Sequence, residues 1–461
     1  MFPALRRRLA PAVLAACAVA VILQWLPGTA YPVVSDTAVY ALLGRSAWTA
    51  GAYEHLGQPY AKHLPLHAIV SYPLAHAFGP HLGMQLSSLL AGLLVLLATF
   101  LLARRAFGET TALLAAAALS VHHGFVLMTM LGSADLLFTA LFLLSVHAFL
   151  RAEESPRAYL AAGLFAGLAC LTRYNGLPLF PLFLLWVAWK RRPHLREPLF
   201  WAGGALGAAI IGLWPLRNWL TLGSPFANDY AGELAEKSPG IFAQLLRNLA
   251  YYANPLHNVL PLPLLLAFHG LWRHGRRQAF LALAMLAGWA IALVWWVQGI
   301  RFAFAGYPIL LAFSAAGALA LLARVPARWR ATLAAFLLLG TVVPQAAVTC
   351  VYDYGACNAW ADRTVGLLPR NIGLSTEGFH SMALARAELN RRAESGAAVV
   401  IRNLWDPWFA EGVYRGDLRV LDAEAPDLPC PRYRLTEEPG SDAVLYVSPS
   451  APRVSLVREE C

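Results

Sequence analysis

The residues of this chain best suited to chemistry are two aspartates and four cations that interrupt an otherwise apolar sequence. Asp36 follows the first long apolar segment directly, and Asp135 stands at the start of a later one. The cations that accompany them are Lys62, Arg173, Arg217 and Arg301. A carboxylate can take a proton from a hydroxyl, and Arg and Lys bind phosphate through charge-assisted hydrogen bonds. These residue types therefore suit the transfer of a group that leaves from a phosphate.

Each of these residues also has an ordinary structural interpretation. An Asp at the start of a helix commonly caps it, which applies to Asp36 and Asp135 and is compatible with catalysis. Lys62 lies in a loop, where a lysine is usually solvated. Arg173 could be held by helix-end carbonyls, and Arg217 and Arg301 could be anchors at the membrane interface. The elements around them decide between the two interpretations.

The surrounding sequence is that of a membrane protein. Of the 461 residues, 58% are hydrophobic and 13% are charged. Soluble domains carry about 25% charged residues, so a cytosolic enzyme and a disordered chain are excluded. Residues 1–349 hold a net charge of +14 and residues 350–461 a net charge of −4, out of +10 overall. The basic charge therefore belongs to the hydrophobic part, which argues against nucleic acid as a partner.

Apolar segments long enough to cross hydrocarbon, roughly 17–25 residues, recur along this part. They are 10–30, 84–103, 110–130, 134–150, 158–172, 175–189, 198–216, 256–272, 279–298, 303–323 and 331–349. The fifth and sixth are short, and the break at 172–176 is expected to lie within the membrane depth. We therefore predict an all-α polytopic membrane protein with about eleven transmembrane helices.

Basic residues mark alternate junctions between these segments. Seventeen of the 24 basic residues before position 350 cluster there, on one side if the helices alternate. By the positive-inside rule that side is the cytoplasm, which also holds the N-terminus, and the C-terminal tail lies outside. The first apolar run continues past Cys17 to Leu26, so it is predicted to be an uncleaved anchor. Six acids and seven bases then remain outside the cytoplasmic clusters.

Two domains are predicted from this pattern. Residues 1–349 form the transmembrane domain, with long outward loops at 31–83 and 217–255, the second of which contains an amphipathic stretch near 241–252. Residues 350–461 form a soluble domain outside the membrane. Only three lysines stand against 33 arginines, which indicates a GC-rich genome and favours a bacterial inner (plasma) membrane.

The tail is predicted to be a small α/β domain. Strand-like runs occur at 397–401 and 443–447, and a helical run occurs near 382–392. Its cysteines, which allow three pairings, lie where disulfides are permitted. They are Cys350, Cys357, Cys430 and Cys461. Both bridged and free thiols remain open for them, and no Cys/His spacing of the metal-binding kind appears.

Outward cations beside apolar surface, together with one or two carboxylates, suit a sugar carried on a polyprenyl phosphate. The phosphate is already a good leaving group, so one carboxylate that deprotonates an acceptor hydroxyl is sufficient. The displacement would be in line and would invert the anomeric centre, unlike the scheme of two-carboxylate hydrolases. Cations near the departing phosphate would stabilise its developing charge.

Several motifs occur in an order that resembles the GT-C glycosyltransferases, in the branch of the protein O-mannosyltransferases and the bacterial aminoarabinose transferases. In the first outward loop these are Asp36 with Tyr40, Gly51 with Tyr53, Lys62 with Pro65, and Phe78-Gly79. Farther along they are Leu171-Thr172-Arg173-Tyr174-Asn175-Gly176, Trp214-Pro215-Leu216-Arg217-Asn218, Gly223-Ser224-Pro225-Phe226, and Arg301-Phe302 with Pro308. The resemblance runs through most of residues 30–310.

The resemblance implies an inverting transferase with Asp36 as the catalytic base and a polyprenyl-phosphate sugar as the donor. Lys62 and Arg301 are implied as phosphate contacts, and Arg173 and Arg217 are predicted to join them. Asp135 is a second catalytic candidate. The candidates for substrate binding are Tyr40, Tyr53, Tyr60 and His63. No cofactor is predicted, and a divalent metal stays open because Thr37 stands where several relatives have a second acid.

Other functions remain open at this point. The acceptor could be a lipid, a glycan or a protein. A transporter or flippase of lipid-linked saccharides would share the apolar helices, but its ionisable residues are usually near mid-bilayer. The candidates here cluster at the outward helix ends, which favours an enzyme. A third interpretation is a non-catalytic assembly subunit whose tail binds a partner.

Overall fold

The computed structural model describes most of the membrane domain and parts of the tail. The described residues are 3–30, 36–55, 58–228, 230, 232, 236, 240–254, 261–349, 385, 388–401, 419–422, 432–436, 443–447 and 455–459.

Helices account for most of the described chain. In the first third they are α1 (Pro3–Trp25), α2 (Asp36–Ala50), α3 (Pro65–Phe78), α4 (Pro80–Phe107), α5 (Glu109–Ser120), α6 (His123–Leu131) and α7 (Asp135–Arg151). After these come α8 (Ala158–Thr172), α9 (Leu179–Lys190), α10 (Pro198–Leu222), α11 (Ile241–Ala253), α12 (Pro261–His274), α13 (Ala279–Val294), α14 (Ile300–Leu322) and α15 (Ala327–Val348). A short 3-10 turn, Phe304–Gly306, lies within α14.

The predicted fold class is confirmed, and all eleven apolar segments are helical over most of their described residues. Within the described ranges, five helical segments are long and apolar enough to cross a membrane singly. They are Ala10–Thr29, which runs from α1 into the 3-10 turn that follows it, and α4, α10, α14 and α15. The pair α5 and α6, bent by 60°, would make a sixth. Helices α8 and α13 are apolar but have only 15 and 16 residues.

Glycines explain how two of these helices pack without a hydrophobic driving force between them. A Cβ on Gly163 of α8 would lie 1.8 Å from the carbonyl oxygen of Gly203 on α10. One turn farther, a Cβ on Gly167 would lie 2.8 Å from the carbonyl oxygen of Gly207. Helices in lipid associate through such small residues four apart, because these let the backbones touch.

Segment 31–83, which is predicted to face outward, is helical over most of its described residues, although its sequence lacks the long apolar runs of other helices. Its helices α2 and α3 are joined by a chain segment that contains the short antiparallel strands β1 (Glu54–His55) and β2 (Gln58–Pro59). Pro65 is the first residue of α3, where a missing N–H costs nothing. A small core beneath these helices includes Val39, Leu43, Leu64 and Met84, and it holds the segment against the bundle.

The predicted break between the fifth and sixth apolar segments is confirmed. Helix α8 ends at Thr172, and Arg173 has an extended backbone with φ −151° and ψ 141°. A 3-10 turn, Tyr174–Gly176, follows before α9 begins at Leu179. The break places Arg173 outside the helix, at the end of α8 that lies beside Asp135 at the start of α7.

The tail contains a five-stranded mixed sheet. Its strands are β3 (Ala398–Ile401), β4 (Arg419–Asp422), β5 (Arg432–Thr436), β6 (Ala443–Val447) and β7 (Ser455–Glu459), in the order β4-β3-β5-β7-β6. β3 is parallel to β4 and β5, and β7 is antiparallel to β5 and β6. The predicted strand runs and part of the predicted helical run are therefore found, whereas Cys350, Cys357, Cys430 and Cys461 lie outside the described residues.

Candidate active site

Asp36 begins α2 and lies at the edge of the helical bundle. Its carboxylate stands at the positive end of the helix dipole, and 22% of its side chain is exposed. The hydroxyl of the next residue, Thr37, donates a hydrogen bond of 2.8 Å to the carbonyl oxygen of Leu131 at the end of α6. That bond ties the start of α2 to the bundle, so the carboxylate has a fixed position and remains accessible.

Each oxygen of the Asp36 carboxylate faces a different basic side chain. Oδ2 accepts a hydrogen bond from the guanidinium of Arg301, and Oδ1 lies 3.5 Å from Nε2 of His63. Burial by itself raises the pKa of Asp36, but the charge of Arg301 and the contact with His63 outweigh it. The net effect holds the pKa of the Asp36 carboxyl well below its usual range, so the group is ionised.

His63 links Asp36 to a tyrosine. The hydroxyl of Tyr60 lies 2.7 Å from Nδ1 of His63, and the two rings are stacked with centroids 5.6 Å apart. If the hydroxyl donates to Nδ1, the neutral imidazole carries its proton on Nε2, the nitrogen that faces Asp36. His63 is 4% exposed. Its fixed ring therefore offers one donor to the carboxylate.

A second aspartate–arginine pair lies deeper in the bundle. Nη1 of Arg173 donates a hydrogen bond of 2.5 Å to Oδ1 of Asp135, and the hydroxyl of Ser133 donates one of 2.7 Å to Oδ2. The side chain of Asp135 is 1% exposed and that of Arg173 is 16% exposed. Both carboxylate oxygens of Asp135 are therefore engaged by protein donors.

The two arginines of these pairs meet at one aromatic ring. The guanidinium carbons of Arg301 and Arg173 lie 4.9 Å and 5.5 Å from the ring centroid of Phe302. The amide nitrogen of Asn175, from the break after α8, donates to the carbonyl oxygen of Phe302 at 3.2 Å. The break and the start of α14 are thus joined, and two positive groups come close together beside Asp36.

Lys62 adds a third cation near this group. Its Nζ lies 5.5 Å from the ring centroid of Tyr230, and that ring is edge-on to His63 at 6.4 Å. The Tyr230 ring also contacts Tyr174 and Trp295, at 6.1 Å and 5.2 Å. Tyr230, from the predicted second outward loop, and the aromatic rings that it contacts therefore lie beside the ionic groups.

Arg217 contacts the backbone of the segment that carries Lys62 and His63. It donates hydrogen bonds of 2.8 Å to the carbonyl oxygen of Tyr60 and 2.7 Å to that of Tyr53. The hydroxyl of Tyr53 in turn donates to the carbonyl oxygen of His63 at 3.1 Å. Arg217 and Tyr53 therefore fix the path of this segment from α10.

Tyr40 packs between two histidines. Its ring centroid lies 4.9 Å from that of His63 and 4.9 Å from that of His67, edge-on to both. Nε2 of His67 donates a hydrogen bond of 2.9 Å to the carbonyl oxygen of Gly132, which lies just before Asp135. Burial lowers the pKa of His67 to about 4, so this ring is neutral. His67 therefore connects the surroundings of Asp36, through Tyr40, with those of Asp135, through Gly132.

The structure thus brings all ten predicted residues into one region, in which Arg217 and Tyr53 contact the chain backbone. It also adds His67 and Tyr230, which the motifs did not include, and Phe302, which the motifs included only as the neighbour of Arg301. His67 could have been found from the four-residue spacing of His63, His67 and Ser71, because residues four apart are neighbours on one face of a helix. For Tyr230 the sequence carries no comparable signal. Among the described residues, no group of three His, Cys, Asp or Glu side chains is placed to hold a metal ion.

Comparison with known proteins supports the resemblance seen in the sequence. Residues 75–215 match the family model described as dolichyl-phosphate-mannose-protein mannosyltransferase. That range includes Asp135 and Arg173 but ends before Arg217 and Arg301, and it begins after Asp36 and His63. No match was found among curated protein sequences.

Solved structures match over nearly the whole chain. ArnT from Cupriavidus metallidurans is similar in the apo state, with a TM-score of 0.65, and bound to undecaprenyl phosphate, with a TM-score of 0.62. Each match has 15% identity and covers 97% of both chains. The Archaeoglobus fulgidus oligosaccharyltransferase AglB, in complex with an inhibitory peptide and a dolichol-phosphate, matches with a TM-score of 0.52 and 15% identity over 90% of this chain and 64% of its own. The predicted GT-C fold and family resemblance are thereby confirmed.

Proposed function

We propose that this chain, which has the fold of ArnT, is a membrane glycosyltransferase that moves a sugar from a polyprenyl-phosphate donor to an acceptor hydroxyl. The observation that carries the proposal is the cluster of Asp36, Arg301 and His63, which we name the Asp36 cluster. It combines an accessible ionised carboxylate with an adjacent guanidinium at one edge of the bundle. A base and a phosphate-binding cation are the two groups that such a transfer requires.

A lipid phosphate as the donor is supported by the relatives and by the charges of the site. One ArnT structure holds undecaprenyl phosphate and one AglB structure holds a dolichol-phosphate. Here Arg301 and Arg173 flank the Phe302 ring, and Lys62 lies nearby over Tyr230. Three cations beside apolar and aromatic surface fit a phosphate whose attached chain lies in the membrane.

In the proposed reaction Asp36 accepts the proton of the acceptor hydroxyl as its oxygen attacks the anomeric carbon. The bond from that carbon to the phosphate oxygen breaks, and its electron pair leaves with the polyprenyl phosphate. Attack opposite the leaving group inverts the anomeric centre. Arg301 and its neighbouring cations stabilise the charge that develops on the phosphate. The protonated Asp36 then releases its proton to water, which completes the balance.

The pairing of Asp36 with Arg301 gives the donor a second effect. A carboxylate whose pKa is well below its usual range is a poor proton acceptor. A bound phosphate would compete for the guanidinium of Arg301, and the pKa of Asp36 would then rise. Donor binding thus both fills the site and makes Asp36 a better base, so we propose that the donor binds before proton transfer.

Asp135 and Arg217 take supporting roles in this proposal. Asp135 is saturated by Arg173 and Ser133 and is nearly inaccessible, so it positions Arg173 instead of meeting the acceptor. Arg217 holds the segment with Lys62 and His63 through backbone carbonyls. Tyr40 and Tyr60 orient His63 by ring contacts and a hydrogen bond.

The side of the membrane follows from the charge pattern. Arg104, Arg105 and Arg151 lie at the ends of α4 and α7 remote from Asp36. If the basic junctions are cytoplasmic, the Asp36 cluster faces outward, and we propose that the acceptor is modified on that face, in the periplasm of a bacterium.

The test compares envelope glycolipids and glycans, by mass spectrometry, from cells with the gene, without it, and with the Asp36→Asn form. We expect a sugar modification that disappears with the gene and does not return with Asp36→Asn at equal protein level. Glu54→Gln, a matched acid-to-amide change in the same outward segment, should restore it. Full restoration by Asp36→Asn would refute the assignment of the base. Movement of labelled donor across reconstituted vesicles without sugar transfer would refute the enzyme and support a transporter.

A further inference from the structure

A basic cavity lies at the end of the bundle opposite the Asp36 cluster. It has a volume of about 460 Å³ and is lined by Leu101, Arg104, Arg105, His147 and Arg151. Helix α4 has 28 residues, a length of about 40 Å, and its other end lies beside Gly132 and Thr37. The cavity is therefore separated from the Asp36 cluster by most of the length of the bundle.

The positive charge of this cavity is largely uncompensated. Arg105 donates to both carboxylate oxygens of Glu154, at 3.2 Å and 2.8 Å, and to the carbonyl oxygen of Leu150. Among the described residues, Arg104 and Arg151 form no ion pair. The guanidinium carbon of Arg104 lies 5.5 Å from the ring centroid of Phe100. Two of the three guanidinium groups that line the cavity thus form no ion pair among the described residues, although the charge of Arg151 also acts on Glu154.

An ion pair lies beside the cavity and adds no net charge to it. Arg191, which follows α9, pairs with Glu153 and lies 5.7 Å from the Phe149 ring centroid. Burial, and then the like charge of Arg105, lower the pKa of Arg191 to about 10. The positive charge of the cavity thus acts on a fourth arginine, at an adjoining helix end.

His147 also lines the cavity. Among the described residues, its buried Nδ1 has no hydrogen-bond partner. The residue lies one turn before Arg151 on α7, so both side chains belong to the same face of that helix. A buried nitrogen without a partner is costly, and the residue that carries it is one of those that line the cavity.

Ordinary positive-inside arginines explain the charge but not the cavity. Such residues need only be solvated near the headgroups. Here they line a concave space with an unpartnered imidazole nitrogen. Apolar surface continues from it along α4, since Leu97, which is 44% exposed, stands one turn from Leu101. A phosphate at the arginines would thus have a leucine surface beside it for an acyl chain.

We propose that this cavity binds the phosphate of an anionic phospholipid headgroup from the adjoining leaflet. Arg104 and Arg151 would donate to the phosphate oxygens, with His147 as a third contact and Leu101 beneath the glycerol. Basic pockets between transmembrane helices bind anionic headgroups in this manner. The site is independent of sugar transfer at the Asp36 cluster.

The test counts lipids that stay bound to the purified full chain in native mass spectrometry, with dioleoyl phosphatidylglycerol or dioleoyl phosphatidylcholine added. We expect the native chain to retain at least one phosphatidylglycerol that Arg104→Ala/Arg151→Ala loses, with affinity lower by about tenfold or more. Arg276→Ala/Arg277→Ala, a matched pair from another basic junction, should bind like the native chain.

A charge-preserving variant and a soluble probe complete the design. Arg104→Lys/Arg151→Lys should keep most of the binding, which separates lost charge from lost folding. Thermal stabilisation by glycerol 3-phosphate that needs both arginines, without retained lipid, would support the site and assign a soluble phosphoester as its ligand. Equal retention by the native chain and the alanine pair, or equal retention of the two lipids, would overturn the proposal.

Discussion

Two aspartate–arginine pairs of the same composition lie near one ring, Phe302, and they differ in exposure. Asp36 of the first pair is 22% exposed and Asp135 of the second is 1% exposed. Each Asp opens a helix, and each is paired with an arginine that comes from a distant part of the chain. The chemistry of the residues is therefore alike, and access decides what each pair can do.

The difference lies also in what else satisfies the carboxylates. Asp135 has Ser133 as a second donor, which leaves neither oxygen open to a substrate. The second contact of Asp36 is His63 at 3.5 Å, long enough for an acceptor hydroxyl to displace. A solvent-inaccessible ion pair such as Asp135–Arg173 can thus position a residue. An accessible pair such as Asp36–Arg301 can take part in a reaction.

The largest expected effect is on the rate of sugar transfer, and it distinguishes the Asp36 carboxylate from that of Asp135. Asp36→Asn should lower kcat by about 10²–10⁴, the usual contribution of a positioned base, with little change in thermal stability. The measurement is sugar transfer by the purified chain, once the cellular test has identified donor and acceptor. Asp135→Asn provides the comparison, since it should lose less rate. A larger loss in Asp135→Asn, with the protein still folded, would reverse the roles.

The next effect separates them by stability. Asp135→Ala leaves the mostly buried Arg173 without its partner, and breaking a buried pair costs about 3–5 kcal/mol. We expect a clear fall in the thermal transition of the purified protein in detergent. Asp36→Ala should lower it less, because Arg301 is 31% exposed and can be solvated. Equal losses of stability would show that exposure does not distinguish the pairs.

Arg301 should contribute to donor binding, whereas Arg45, an arginine outside the two pairs, should not. Arg301→Gln should weaken undecaprenyl phosphate binding by about tenfold, the effect of one charge-assisted contact. Arg45→Gln, a change of the same type on α2, should leave the affinity unchanged. Isothermal titration or a thermal-shift series would measure both. If Arg301→Gln binds the lipid phosphate as tightly as the native chain, the phosphate lies elsewhere.

The smallest effect concerns His67, which lies between the pairs. Its pKa in the folded protein is about 4, below the usual value near 6.5, so the unfolded chain binds a proton more readily. Stability should therefore fall as the pH decreases from 6.5 towards 4, by about 1.4 kcal/mol per pH unit at most. His67→Gln should flatten this part of the stability profile. An unchanged slope would show that His67 does not titrate there.

Folding lowers the pKa of Asp36 as it does that of His67, so the contribution of Asp36 to stability also falls as the pH decreases. Its pKa is depressed in the folded protein, so its stabilisation is complete above the unfolded value near 3.9 and disappears only in stronger acid. Between pH 5 and pH 8 the contribution of the Asp36 pair to stability should thus be constant. This separates it from His67 in the same titration.

Much of the membrane domain was predictable from local sequence. Helix α8 occupies the predicted range 158–172, and the break after it holds Arg173 as expected. The helical structure of α2 and α3 was less visible, because these helices pack on the bundle through mixed faces without a long apolar run. Asp36 stood out because so few charges remain once the basic junctions are set aside.

The composition and order of residues determined that the chain spans a membrane and that its scarce charges gather near a few helix ends. Those properties follow from the cost of charge in hydrocarbon, which acts on each segment separately. Only the tertiary structure decided that Asp36 meets Arg301, 265 positions away, and that Asp135 is sealed by Arg173. Pair choice and exposure depend on how helices and their breaks pack together, and the order of residues along the chain does not specify that contact.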